Sequence, residues 1–160
     1  MAAHAQEVTI QDGHHVPIVI VEGSKSLGVS SLQDLPETHD ERLQMMHAFG
    51  QAAAMTGRFG RLQQVFFISE GWMSVAKRDG PPGIRPSQDP QRKEVLIVSG
   101  LAMQTRQVWL RLFEMVRDRD EKVAQLVELS PPDGREGEIK TPLLEAFVRG
   151  WRLAQQAQVN

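Results

Sequence analysis

The short stretch Val65–Ile68 constrains the fold of this chain more than any other feature of the sequence. Its side chains are Val, Phe, Phe and Ile, which all favour β-strands. Because side chains alternate between the two faces of a strand, an unbroken apolar run predicts a strand that is covered on both faces. A second such run, Val95–Val98, lies within Glu94–Gln104. The sequence therefore predicts a sheet with two interior strands.

Other segments predict further strands of this sheet. Gln107–Arg117 fits a helical repeat almost as well as a period of two, but its place between turn-length breaks favours a strand. Lys122–Leu129 predicts the next strand. Near the N-terminus, Glu7–Gln11 and His14–Val21 alternate around Asp12–Gly13, a dipeptide typical of a two-residue β-hairpin turn. We therefore expect the chain to begin with a hairpin.

Two segments predict amphipathic helices. The first begins within Asp34–Thr38, where capping-box spacing occurs twice, and ends at Thr56–Gly57. The second begins with Thr141 as its cap and Pro142 at its first position, where a missing N–H costs nothing. Glu22–Leu35, which is rich in Gly and Ser, predicts a connecting loop.

Composition sets the class of protein in which these elements occur. With 160 residues and 41% hydrophobic side chains, the chain is long enough for one domain with its own core. We expect a single α+β domain over residues 1–160, in which an antiparallel sheet of five or six strands packs against two helices. Lys and Arg number 18, and Asp and Glu number 20. The net charge of −2 argues against a general nucleic-acid binder.

The lack of cysteine excludes disulfides, zinc thiolates and a cysteine nucleophile. Residues 1–15 have neither the basic start nor the apolar core of a secretory signal. No apolar run approaches the ~20 residues that span a bilayer. We therefore expect a cytoplasmic protein that does not enter a membrane. The sequence identifies no cofactor and predicts no metal ligands.

Glu70 is the leading candidate for a functional residue, because it follows the buried run on the strand face that carries Ile68. Trp72 continues the same face, so a carboxylate lies in line with apolar side chains. Burying a carboxylate without a partner costs several kcal/mol, so Glu70 must bind a partner, a ligand or water. The structural interpretation is an ion pair with Arg85 or Arg92, and the functional interpretation is a ligand-binding site.

The proline-rich segment Lys77–Lys93 is the second candidate, since loops of this length without structure are uncommon and are often functional. It carries five basic and two acidic side chains, a combination that could bind a small anionic ligand. A solvated surface is the simpler interpretation. The candidate ligand-binding residues are therefore Glu70, Trp72, Lys77, Arg85 and Arg92.

Histidines supply a different hypothesis, in which the chain is an enzyme. His47 lies on the apolar face of the first predicted helix, and His39 lies near its start. Imidazole together with Glu70 suits zinc binding or acid–base catalysis, yet the two histidines lack the usual i, i+4 spacing of a ligand pair. A partly buried structural histidine is the simpler interpretation. Pro132–Asp133 with Glu138–Lys140 imitates a nuclease signature, but too few residues separate its halves for two neighbouring strands.

These features predict a small binding or assembly domain of unknown ligand, with a small hydrolase or metal-dependent enzyme as the alternative. Four predicted strands carry apolar residues on both faces, whereas two amphipathic helices cover about one face of a sheet. The second face would then expose more apolar surface than monomers usually tolerate. Either the sheet closes on itself as a barrel or another chain covers this face, and we expect a two-fold homodimer, which is the commonest arrangement. Nucleic acid is not an expected partner.

Overall fold

The computed structural model describes residues 2–74, 88–129 and 140–159, and in these ranges three helices accompany one six-stranded antiparallel sheet. In chain order the elements are α1 (Ala2–Asp12), β1 (Ile18–Gly23), β2 (Leu27–Ser31), α2 (His39–Met55), β3 (Leu62–Met73), β4 (Lys93–Ala102), β5 (Val108–Arg117), β6 (Val123–Leu129) and α3 (Pro142–Val159). The strands lie in the order β2-β1-β3-β4-β5-β6. The predicted α+β architecture is confirmed, with three helices where two were expected. None of the helices in these ranges is long and apolar enough to cross a bilayer.

The predicted N-terminal hairpin is wrong, because Ala2–Asp12 forms α1. Gly13 has a φ of 74°, and its N–H donates to the carbonyl of Thr9 at 3.0 Å. A glycine in this left-handed conformation is a common end of an α-helix. Glycine adopts a positive φ readily, and this property predicts a hairpin turn at Gly13. In the structure the same conformation ends a helix.

The predicted loop Glu22–Leu35 is also wrong in part, because β2 lies within it. β1 and β2 form an antiparallel hairpin in which Val21 pairs with Gly28. A Cβ built on Gly28 would lie 2.7 Å from the ring of Phe59, so no larger residue fits there without a shift. Gly28 therefore reflects close packing of β2 against the side chain of Phe59 and not a flexible connection.

Local signals at the ends of α2 are confirmed. The Thr38 hydroxyl accepts a hydrogen bond from the N–H of Glu41, and the Glu41 carboxylate accepts one from the N–H of Thr38, each at 3.3 Å. The side-chain hydrogen bond from Thr38 is the main reason why the pKa of Glu41 is lowered. Gly57, with a φ of 64°, follows the last turn. α3 begins at Pro142 as predicted, but the buried hydroxyl of Thr141 has no hydrogen-bond partner among the described residues.

The chain divides into two compact units. The helical unit comprises Pro17–Phe67, Ser99–Leu110 and Glu136–Asn160, and the N-terminal unit comprises Met1–Val16, Ile68–Val98 and Arg111–Arg135. The single domain over residues 1–160 stays a prediction.

Close contact between α2 and α3 organises the helical unit. A Cβ on Gly50 would lie 2.0 Å from the carbonyl oxygen of Phe147, and one on Gly150 would lie 1.9 Å from the carbonyl oxygen of His47. The two helices therefore touch through their backbones at these glycines. Buried side chains from both helices, β1 and β3 form the core of the unit, among them Val19, Val21, Met46, Val65, Phe67, Leu144, Phe147 and Trp151.

In the N-terminal unit, α1 lies against β6. Met115 pairs with Leu126 in the antiparallel ladder of β5 and β6, which confirms the strand interpretation of Gln107–Arg117 and of Lys122–Leu129. Arg111 donates two hydrogen bonds of 2.8 Å to Glu128 across these strands. The apolar core of this unit is Ile68, Val95, Leu96, Val98, Phe113, Met115 and Val123.

Candidate functional site

Glu70 lies half-buried on β3, in the N-terminal unit. Its carboxylate accepts a hydrogen bond from the backbone N–H of His15 at 2.5 Å. Hydrogen bonds to Glu94 raise the pKa of Arg117, and the negative charge of Glu70 adds to this shift. Glu70 is therefore stabilised by the backbone N–H of His15 and by the positive charge of Arg117. The sequence pointed instead to Arg85 or Arg92 as its partner.

Arg117, at the end of β5, connects several segments of the N-terminal unit. Its Nε and Nη2 donate to the two carboxylate oxygens of Glu94, each at 2.7 Å. Its Nη1 donates to the carbonyl oxygens of Gly13 at 3.2 Å and Glu121 at 2.8 Å. Because these bonds engage the guanidinium on several sides, the cluster ties the end of α1 to the sheet. Its geometry is that of a structural connection.

Sequence reasoning missed this role of Arg117 and Glu94. The one available signal was their opposite charge on neighbouring strands, since such pairs stabilise antiparallel sheets. Charged residues are frequent at strand ends, so this signal alone does not single out the pair.

Trp72 and Arg92 are the two predicted ligand-binding residues that the structure brings together. The guanidinium carbon of Arg92 lies 4.5 Å from the centre of the Trp72 ring, a cation–π contact. Trp72 is 46% exposed, so one aromatic surface of this pair faces solvent. Lys77 and Arg85 lie outside the described residues. Binding of a small anion by these residues therefore stays a prediction.

The histidines of the enzyme hypothesis lie on α2. His39 is exposed in its first turn, and His47 is half-buried beside α3. In the described ranges, no three His, Asp or Glu side chains are arranged to hold a metal ion. The nuclease-like residues Pro132–Asp133 and Glu138–Ile139 lie outside those ranges. The metal-dependent alternative stays a prediction.

An open groove of about 620 Å³ lies in the helical unit, between the start of β3 and the turn that joins β4 to β5. The N–H of Met103 donates to the carbonyl of Gln63 at 2.8 Å, and that of Ala102 donates to Gln107 at 2.9 Å, which fixes both walls. The polar and aromatic part of its lining includes Arg61, Gln63, Gln64, Gln104, Gln107 and Trp109. Among the described residues, no carboxylate lines it. Sequence reasoning missed this groove, because glutamines spread over two strands and a turn form no recognisable motif.

Trp109 is held in place beside the groove by a second aromatic ring. Its indole stacks on Phe66 with ring centres 5.9 Å apart and an angle of 11° between the planes. Both rings lie against Gly100 of the strand between them, where a Cβ would lie 2.6 Å from Phe66 and 2.9 Å from Trp109. Gly100 therefore allows the rings to meet, and their contact restricts the position of Trp109.

The outer edge of β2 is a further surface of the helical unit. β2 is the first strand in the sheet order, so it has a described neighbour, β1, on one side. The N–H of Leu32 donates to the carbonyl of Pro17, and that of Gly23 donates to Ser26, which fixes the hydrogen-bonded pairs of this hairpin. Because such pairs alternate along an antiparallel ladder, the backbone N–H and C=O groups of three residues point away from β1. These residues are Leu27, Val29 and Ser31.

Comparison with known proteins identifies a family to which the chain is similar. Residues 1–154 match a protein family described as bacteriophage lambda protein ea47. A search of curated proteins finds no match to the chain, and a search of solved structures finds none either. Because the matched region covers nearly all of the 160 residues, the chain belongs to the bacteriophage lambda protein ea47 family.

Proposed function

We propose that this protein is a non-enzymatic assembly domain that acts as a homodimer, in which the β2 edges of two copies pair. The outer edge of β2, which pairs with no other described strand, is the observation that carries the proposal. Leu27 and Val29 on this strand are 54% and 59% exposed. Natural proteins usually protect an edge strand with Lys, Pro or a bulge. The β2 sequence, LGVSS, contains neither Lys nor Pro, and its pairing with β1 runs without a register shift.

The arrangement of outward groups on β2 suits a second copy of the same strand. In a two-fold antiparallel pair centred on Val29, that residue lies opposite Val29 of the other copy. Leu27 then lies opposite Ser31 of the other copy, and each of the three outward residues both donates and accepts a hydrogen bond. β2 carries no charge, so no like charges oppose one another across this pair. The interface proposed here is thus the sheet edge, whereas the sequence pattern favoured a sheet face.

A proline substitution tests this interface without disturbing the fold. Because the N–H of Val29 points away from β1, Val29→Pro removes an outward donor and leaves the β1–β2 hydrogen bonds in place. We expect the native chain to show a two-chain mass in size-exclusion chromatography with light scattering. Val29→Pro and Val29→Lys are expected to show a one-chain mass at the same concentration.

Leu153→Lys is the matched control, since Leu153 is 49% exposed on α3 and is not part of any strand. It is expected to keep the two-chain mass. A one-chain mass of the native protein over a hundredfold concentration range would contradict the proposal. A dimer that survives both Val29 substitutions would place the interface elsewhere.

A further inference from the structure

The groove of the helical unit combines three kinds of side chain that few ligands can use together. It offers a guanidinium on Arg61, carboxamides on Gln63, Gln64, Gln104 and Gln107, and the indole of Trp109. In the described part of the chain, no hydrogen bond uses the carboxamides of these glutamines. Each carboxamide therefore has both donors and an acceptor available for a ligand.

The charged residues at the groove favour a ligand with a negative charge. Arg61 is exposed, and its backbone is held by Ser24, which accepts from the Arg61 N–H through its hydroxyl at 3.0 Å and donates its own N–H at 2.8 Å. Arg106, in the neighbouring turn, adds a second exposed cation. Since none of the described residues that line the groove carries a carboxylate, an anionic group meets attraction from Arg61 there.

The aromatic and amide groups favour a ligand that also carries a planar ring with polar atoms at its edge. An indole fixed by stacking is a surface on which a planar ring packs favourably. A carboxamide can bind the edge of a base such as adenine with two hydrogen bonds. A volume of about 620 Å³ is within the usual range for small-molecule sites.

From these features we infer that the groove binds a mononucleotide, with its base on Trp109 and the glutamine carboxamides and its phosphate on Arg61. A neutral sugar would leave the guanidinium unused, and a simple anion would leave the indole and the carboxamides unused. A nucleotide uses all three groups. A single lining cation suits one phosphate better than the row of phosphates in a nucleic-acid strand. This site does not depend on the proposed dimer, because every residue that carries it belongs to one chain.

Calorimetric titration of the full chain with AMP, GMP, CMP and UMP tests the inference. We expect at least one of them to bind at micromolar to millimolar concentration. Arg61→Ala is expected to weaken that nucleotide about tenfold and to leave its nucleoside unchanged, because only the phosphate contacts the guanidinium. Gln104→Ala is expected to weaken both, since it removes contacts to the base. Gln104 is exposed, so this substitution is not expected to disturb folding.

Arg152→Ala is the matched control, because it removes an exposed cation of α3 that does not line the groove. It is expected to leave nucleotide affinity unchanged. Titration with an oligonucleotide distinguishes a free nucleotide from a nucleic acid. If the oligonucleotide binds, Gln104→Ala weakens that binding and no mononucleotide binds, then the ligand is part of a nucleic acid and the mononucleotide inference is wrong. No binding of any probe at millimolar concentration would overturn the inference. Binding that is insensitive to both Arg61→Ala and Gln104→Ala would overturn it as well.

Discussion

At the scale of the residue, burial decides the chemistry of His15. Its ring is buried, and its Nδ1 has no hydrogen-bond partner among the described residues. Loss of solvent lowers the pKa of His15 below its ordinary value of 6.5, the backbone of Val16 opposes this shift, and the nearby charge of His14 adds to it. Its backbone N–H is bonded to Glu70, so the residue cannot easily move into solvent. The folded state therefore favours neutral His15.

This preference predicts that the protein loses stability in mild acid. The unfolded chain binds a proton to His15 below pH 6.5, whereas the folded chain binds it only at lower pH. The contribution of His15 to stability is complete above pH 6.5 and is lost as the pH falls towards the folded pKa. Thermal melts from pH ~7.5 to ~5 are expected to show a falling melting temperature. His15→Gln should remove most of this fall, and His14→Gln, which removes only the smaller contribution of the His14 charge, should reduce it less. An unchanged slope in His15→Gln would contradict the prediction.

At the scale of the element, two glycines determine how α2 and α3 meet. Gly50 and Gly150 each lie against a backbone carbonyl of the other helix. Helix propensity alone predicts that Gly50→Ala stabilises the protein by ~1 kcal/mol. The Cβ would lie 2.0 Å from the carbonyl oxygen of Phe147, so the helices must move apart. Overpacking of this kind costs ~1–3 kcal/mol, and it therefore exceeds or cancels the gain in propensity.

We therefore expect Gly50→Ala and Gly150→Ala to lower the free energy of unfolding, as measured by urea denaturation. Ala48→Gly is the control on the exposed side of α2, and it should cost only the ~1 kcal/mol of helix propensity. A stabilised Gly50→Ala variant would show that the two helices do not touch at this position.

At the scale of the whole molecule, the segment Lys77–Lys93 sets the expected pattern of proteolysis. It contains four prolines and one large apolar residue, Ile84, so it has little to bury. Such segments are preferred cleavage sites. We expect the first cuts by both trypsin and thermolysin to fall there, the second protease serving as control because it does not select Lys or Arg. First cuts within β3 or α2 would contradict the prediction. Protection by phosphate would support anion binding by this segment.

Features that depend only on neighbouring residues follow from the amino-acid sequence alone. The apolar run Val65–Ile68 lies in a strand because its own side chains must be buried on both faces. The cap at Thr38 and the start at Pro142 are also local, since the groups involved lie within one turn. That Glu70 needs a partner also follows from the sequence, because the cost of burying a carboxylate does not depend on the fold, but its donor, the N–H of His15, does not.

Contacts between groups that lie far apart in the chain follow from the fold and not from local sequence. Gly13 prefers positive φ in a hairpin and at a helix end alike, so its local chemistry could not distinguish α1 from a strand. Arg117 lies far along the chain from the end of α1, and no spacing rule predicts their hydrogen bond. The edge of β2 and the groove beside Trp109 exist because particular strands are neighbours. Strand order depends on the total free energy of packing, to which each segment contributes only a small part.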